Sequence, residues 1–290
     1  MSRARVGVVF RPQLPPERLQ SVAVAADAAG LDELWLWEDC FYEAGISAAT
    51  AALAWTRRLR VGIGLLPAPL RNVALTAMEV ATLARLFPGR IEVGIGHGVQ
   101  EWMAQVGAQA DSPMTLLREH AVALRSLLDG QSVTVHGRYV HLDGVTLDWP
   151  PSQVPPLIVG AVGPRTVALS AEFADGTLLT GGTTPETVRR IRSEVDAARS
   201  AAGRGGRHTL TVYVVAATGP DAASRLAAEL RSWSLDPAQD VAISGDAAQI
   251  AAGIRRWAAA GADAVILQPT ADEDVEAFVG FVAHEVQPLC

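Results

Sequence analysis

Strand-like and helix-like stretches alternate along the whole chain, and this alternation restricts the fold more than any other feature of the sequence. Short apolar, β-branched runs recur near Arg5-Phe10, Glu33-Trp37, Arg60-Leu66, Arg90-Gly96, Pro156-Gly160, Gly176-Thr180, Thr209-Ala217 and Ala264-Leu267. Helical periodicity fills the gaps at Pro16-Ala29, Ser47-Thr56, Val73-Phe87, Ser112-Asp129, Pro164-Phe173, Pro185-Ser200, Asp221-Leu230 and Asp246-Ala260, with a last helix at Asp272-Glu285. Strands joined through helices pair in parallel, because each helix carries the chain back to the end where the previous strand began. Eight such units in 290 residues give a (β/α)₈ barrel, one domain over residues 1-290, with a doubly wound open sheet as the alternative. One stretch departs from the pattern. Gln131 to Pro151 alternates apolar and polar residues around His136-Gly137 and Asp143-Gly144, which predicts a short β-hairpin insertion between the fourth helix and the fifth strand.

Composition removes several chemistries. All 24 basic residues are arginine and none is lysine, so Schiff-base aldolases, pyridoxal enzymes and lysine-bearing phosphate loops are excluded. A net charge of -7 argues against a nucleic-acid surface, which needs clustered positive charge. The two cysteines, Cys40 and Cys290, give neither a disulfide framework nor a zinc spacing. The first residues lack the apolar region of a signal peptide and no apolar run is long enough for a membrane span, which leads us to expect a cytoplasmic protein.

Barrel enzymes place their reactive groups at the C-terminal ends of the strands. There the sequence sets Trp37-Glu38-Asp39-Cys40, Gly62 to Pro67, Gly94-Ile95-Gly96-His97-Gly98, Gly160 to Arg165, and Thr180-Gly181-Gly182. Of six histidines only His97 stands at a strand end, so no hydrolytic metal site is expected. The opposed carboxylates of a glycosidase are also missing. Glycine-rich strand ends suit a flat organic cofactor approached by the backbone, with its phosphate at a helix start. Each feature also has a plainer reading. Glu38-Asp39 serves equally as a cap for the next helix, Cys40 as a small apolar residue, Gly160 to Pro164 as an ordinary strand-to-helix turn, and Trp102 with Met103 as lid or core packing.

Taken in order, these motifs resemble the luciferase-like flavin- and deazaflavin-dependent oxidoreductases. AGLDELWLWEDCF is similar to that family's second-strand signature, and RVGIGLLPAPLRNVALTAMEVATLARLFPGRIEVGIGHG to its third and fourth units. VTVHGRYVHLDGVTLDWPP resembles its insertion hairpin and PPLIVGAVGPRTVALSAEFADGTLL its phosphate-binding unit. The resemblance implies a barrel with the cofactor ring across the strand ends. It implies a non-proline cis peptide at Gly64-Leu65, ring contacts from Gly96, His97 and Gly98, and phosphate contacts from Gly160, Ala161, Val162, Gly163, Pro164 and Arg165. It puts Asp39 beside the reactive ring face and makes Asp39, His97 and Cys40 the catalytic candidates. Gly64-Leu65, Phe87-Pro88-Gly89-Arg90 and Gly160-Pro164 resemble the branch that uses coenzyme F420, an 8-hydroxy-5-deazaflavin. Cys40 stands where relatives often have histidine, and Val99 where some have glutamate. The resemblance therefore implies hydride transfer between F420 and a small, largely apolar organic substrate in a homodimer. The alternatives are an FMN-dependent monooxygenase served by a separate reductase, and a cofactor-binding protein without turnover.

Overall fold

The computed structural model describes residues 3–290. Eight parallel strands close a barrel: β1 (Arg5–Phe10), β2 (Glu33–Leu36), β3 (Arg60–Pro67), β4 (Ile91–Gly96), β7 (Leu157–Gly160), β8 (Gly176–Leu179), β9 (Thr209–Ala217) and β11 (Ala264–Pro269). β8 pairs with the first half of β9 and β11 returns to β1, which completes the ring and excludes the open sheet. The hairpin is present, β5 (Val133–His136) against β6 (His141–Val145), between the helix Pro113–Leu128 (α5) and β7. Besides 3₁₀ turns at Ala68–Leu70 and Gln287–Leu289, two elements escape the sequence reading. They are a six-residue helix α4 (Gln100–Gln105) and a three-residue strand β10 (Ala242–Ser244), which pairs with the last residues of β9 beyond the end of β8. The last helix also ends earlier than its periodicity suggests, at Val275–Phe281, and a π-helical turn follows over Val282–Val286.

Residue parity decides what fills the barrel. Alternate strand residues face opposite sides, so Val8, Leu34, Ile63, Val93 and Val265 pack outward against the helices, while Val9, Trp35, Ile158, Leu178, Tyr213 and Ile266 meet in the lumen. At the upper end of the lumen β3 sets Gly62 and Gly64, β4 Gly96 and β7 Gly160, because large side chains occupy that space. A Cβ on Gly62 would strike the Trp35 ring, one on Gly64 the Tyr213 hydroxyl, and one on Gly96 would lie 2.5 Å from Leu65 Cδ2. Trp35 and Tyr213 meet edge to face at 5.8 Å between centroids. The lower mouth is closed by charge. Arg5 binds Glu33 and lies 3.2 Å from Glu92, Arg60 binds Glu92, and Trp35 Nε1 donates to Glu33 Oε2 at 2.9 Å.

Candidate functional site

At the upper end the strand termini surround a cavity of about 730 Å³, within the size range of small-molecule and cofactor sites. Its floor is made by Gly64, Leu65, Leu178, Tyr213 and Gln268. The peptides Gly64-Leu65 and Cys40-Phe41 are both cis. The Tyr213 hydroxyl donates to Gly64 O at 3.3 Å, tying the β3 bulge to β9. Leu65 fills the hollow above Gly96 and Gly160, since a Cβ on either would collide with its Cδ2. Gly96, expected to meet the cofactor ring, is not on the cavity wall. Gly96 makes room for Leu65, and Leu65 presents the surface to the cavity.

Of the catalytic candidates, Asp39 and His97 line this cavity and Cys40 does not. Burial raises the Asp39 carboxyl above its ordinary range, with no hydrogen bond to offset it, so it holds a proton more readily than a surface aspartate. His97 stands across β3 from Asp39, half-buried, with Nε2 3.3 Å from Thr166 Oγ1 on the helix Pro164–Phe173 (α6). Burial lowers its pKa and the Pro113 backbone opposes the shift, which favours neutral imidazole. Gly98, with φ of 65°, turns the chain out of β4 where any side chain would crowd Pro67 and Met103. The Cys40 thiol is raised by burial and then by Glu38 and Asp39, which keeps it a thiol rather than a nucleophilic thiolate. Glu38 caps and pairs: it accepts from Gly45 N at 2.7 Å and holds Arg71 at 2.7 Å.

Gly160, Ala161, Val162 and Gly163 line the β7 side of the cavity. Gly163 is the N-cap of α6 with no side-chain cap, Pro164 occupies its first turn, and Thr166 N and Val167 N both turn back to Gly163 O. The amides ahead of them point out of the helix, where the dipole favours an anion. Pro164 and Arg165 themselves are outside the cavity wall.

Sequence reasoning missed Gln13, Tyr213, Trp233 and Gln268, all of which line the cavity. Gln268 follows Ile266 by two residues on β11 and so shares its lumen-facing register, a signal that period-two counting could have found. Trp233 lies just past the helix Ala222–Ser232 (α8) and carries no such mark. Among the described residues no group of potential metal ligands comes together, and no helix is long and apolar enough to cross a membrane.

Fold and site define a parallel (β/α)₈ barrel with a cofactor-sized cavity at its strand ends. The chain belongs to the luciferase-like monooxygenase family, which matches residues 4–285. It is 27% identical over 198 residues to the 5,10-methylenetetrahydromethanopterin reductase of Methanolobus tindarius, covering 68% of this chain and 60% of that protein. It is 30% identical over 211 residues to the F420-dependent glucose-6-phosphate dehydrogenase of Tsukamurella paurometabola, covering 67% and 62%. The chain thus spans about 60% of the length of these curated relatives. Among solved structures, an F420-dependent secondary alcohol dehydrogenase in complex with an F420-acetone adduct superposes over the whole of both chains with a TM-score of 0.89 at 20% identity. The F420-dependent tetrahydromethanopterin reductase of Methanopyrus kandleri gives 0.84 at 19% over 99% of each chain.

Proposed function

We propose that this protein is an F420-dependent oxidoreductase acting on a small, uncharged organic substrate. The observation that carries the reading is that a half-buried carboxyl whose pKa burial raises, Asp39, opens onto the same apolar cavity as an anion-favouring helix start at Gly163. The relatives named above for F420 support the coenzyme. The residues fit it: the cavity is large enough, its floor is apolar, and the Gly160–Arg165 turn offers backbone amides where the chain has no lysine to hold a phosphate. When bound, the deazaflavin supplies the hydride donor or acceptor.

The protein's own work is positioning and proton handling. Leu65 would support the ring from below, and the backbone N–H groups of Val162, Gly163 and Arg165 would hold the phosphate. Asp39 gives or takes the substrate's hydroxyl proton, for which its raised pKa brings it nearer to neutrality. His97, braced by Thr166, fixes the β4 side of the cavity and is a second proton carrier. Among the described residues no arginine lines the cavity, and the nearby Arg11 is already bound to Glu229 at 2.7 Å and to Pro269 O at 3.0 Å. That argues against an anionic substrate, and the burial that raises the Asp39 pKa argues against a charge beside it. The reading includes a cytoplasmic homodimer; the exposed Leu75, Met78 and Leu86 on the helix Val73–Leu86 (α3) offer an apolar face for it.

Titration of the purified protein with F420 and with FMN tests the reading. We expect micromolar binding of F420 and at least tenfold weaker binding of FMN. The reverse order would replace it with the flavin monooxygenase, and binding without reduction of any carbonyl compound would leave a carrier.

A further inference from the structure

At the lower mouth Arg5, Arg60, Glu33, Glu92 and Trp35 are joined by ion pairs and a hydrogen bond, whereas at the floor of the cavity Gln268 has no partner. It is fully buried, and neither Oε1 nor Nε2 has a hydrogen-bond partner among the described residues. Its place is fixed. β11 is held on both sides, by β1 and β9, and a Cβ at Gly181 would lie 3.3 Å from Trp233 Cζ3 and 3.9 Å from Gln268 Oε1. Arg11 stands 6.0 Å from the Trp233 ring and steadies that wall.

A buried carboxamide with both ends unpaired is destabilising unless a ligand completes it. A ketone or ether completes only Nε2, and an ammonium only Oε1. A group that completes both needs an acceptor beside a donor in one plane, and a carbonyl oxygen next to an N–H, the edge of a cis-amide, supplies this without a group that ionises near neutrality. We propose that Gln268 reads such an edge, pairing Nε2–H with the carbonyl oxygen and Oε1 with the N–H of a lactam, an imide or a pyrimidinedione ring. Two sources carry this chemistry, the pyrimidinedione edge of a flavin or deazaflavin and a cyclic amide in the substrate. The second rests on the function proposed above; the first holds for either cofactor.

Ligands methylated at the N–H separate the outcomes. Lumiflavin and 3-methyllumiflavin are titrated into the protein by fluorescence quenching, and δ-valerolactam and N-methylvalerolactam into the F420-loaded protein by ligand-detected NMR, each with wild type and Gln268→Leu. We expect wild type to bind one unmethylated partner about tenfold more tightly than its methylated form, the scale of one hydrogen bond to a desolvated partner. Gln268→Leu should erase that discrimination while its ligand-free melting temperature stays the same or rises. Discrimination in the flavin pair assigns Gln268 to the cofactor, and discrimination in the lactam pair assigns it to the substrate. Equal binding of methylated and unmethylated forms by wild type in both pairs overturns the proposal, and this comparison needs no variant to fold. If F420 fails to bind, the lactam pair is titrated into the unloaded protein. Discrimination there retains Gln268 as a cis-amide reader while the proposed function falls.

Discussion

The two ends of the barrel lumen are built from the same strands and the same alternation of residues, yet they treat polar groups in opposite ways. At the lower mouth Arg5, Arg60, Glu33, Glu92 and the Trp35 indole form one network of ion pairs and a hydrogen bond. At the upper mouth Asp39 has no hydrogen bond to offset its burial and Gln268 has no partner at all. Burial raises the Glu33 carboxyl and Glu92 adds to the shift, while Arg5, Trp35 and Arg60 oppose it; no such opposition exists at Asp39. The charged groups of the lower end thus pair with one another, and the upper end leaves Asp39 and Gln268 for a ligand. Changes below should cost stability, and changes above should cost binding or turnover.

The largest effect is expected above. His97→Ala should lower turnover by about 10²- to 10⁴-fold with the cofactor constant little changed, if the imidazole carries a proton. Stopped-flow reduction of the bound cofactor reads this. A fall in affinity with turnover intact would make His97 a wall of the cavity instead. Next in size is a change below. Glu33→Leu leaves the Trp35 N–H without an acceptor and Arg5 with Glu92 alone, and should destabilise by about 3 kcal/mol, somewhat less than for a wholly enclosed pair because the arginines reach solvent. Urea unfolding measures the loss, and F420 affinity should not move. A variant that kept its stability but lost the cofactor would break the contrast between the two ends.

Gly96→Ala tests the boundary between them. The added methyl meets the tip of Leu65, which borders open cavity and can swing upward, so we expect a stability cost of about 1 kcal/mol or less, below the usual range for overpacking. The displaced leucine should instead weaken cofactor binding several-fold, and Gly96→Ala with Leu65→Ala should restore part of it. A ring resting on Gly96 itself would give no such rescue.

That glycine also marks where the sequence stopped being legible. Strand and helix order follows from local periodicity, and β1, β9 and α6 have the limits their patterns predict. The helix α4 and strand β10 are too short for any periodic window to register. The Gly-His-Gly motif sets His97 and Gly98 on the cavity wall, but what fills the space above Gly96 depends on Leu65 from a neighbouring strand. Gln268 and Trp233 come together only when β11 and the end of α8 are brought to the same side of the barrel. Cys40 shows the opposite failure. It follows Asp39 in sequence, yet the turn carries it off the cavity wall.

The smallest effect is the most direct measure of an upper end built for a ligand. Burial raises the folded-state pKa of Asp39 above its ordinary value of 3.8, so the folded protein binds this proton more tightly than the unfolded chain does. Below the unfolded value the carboxyl is neutral in both states and costs nothing. As pH rises through the raised folded pKa, ionising it inside the cavity removes stability. Asp39→Asn has no charge to bury, so its ligand-free stability should match wild type near pH 3.5 and exceed it at pH 7. The gain should be under about 1 kcal/mol, because the site is open to water. Denaturant midpoints across that interval decide the matter. A wild type that gains on the variant as pH rises would mean that a donor already satisfies this carboxylate, and the contrast between the two mouths would then rest on Gln268 alone.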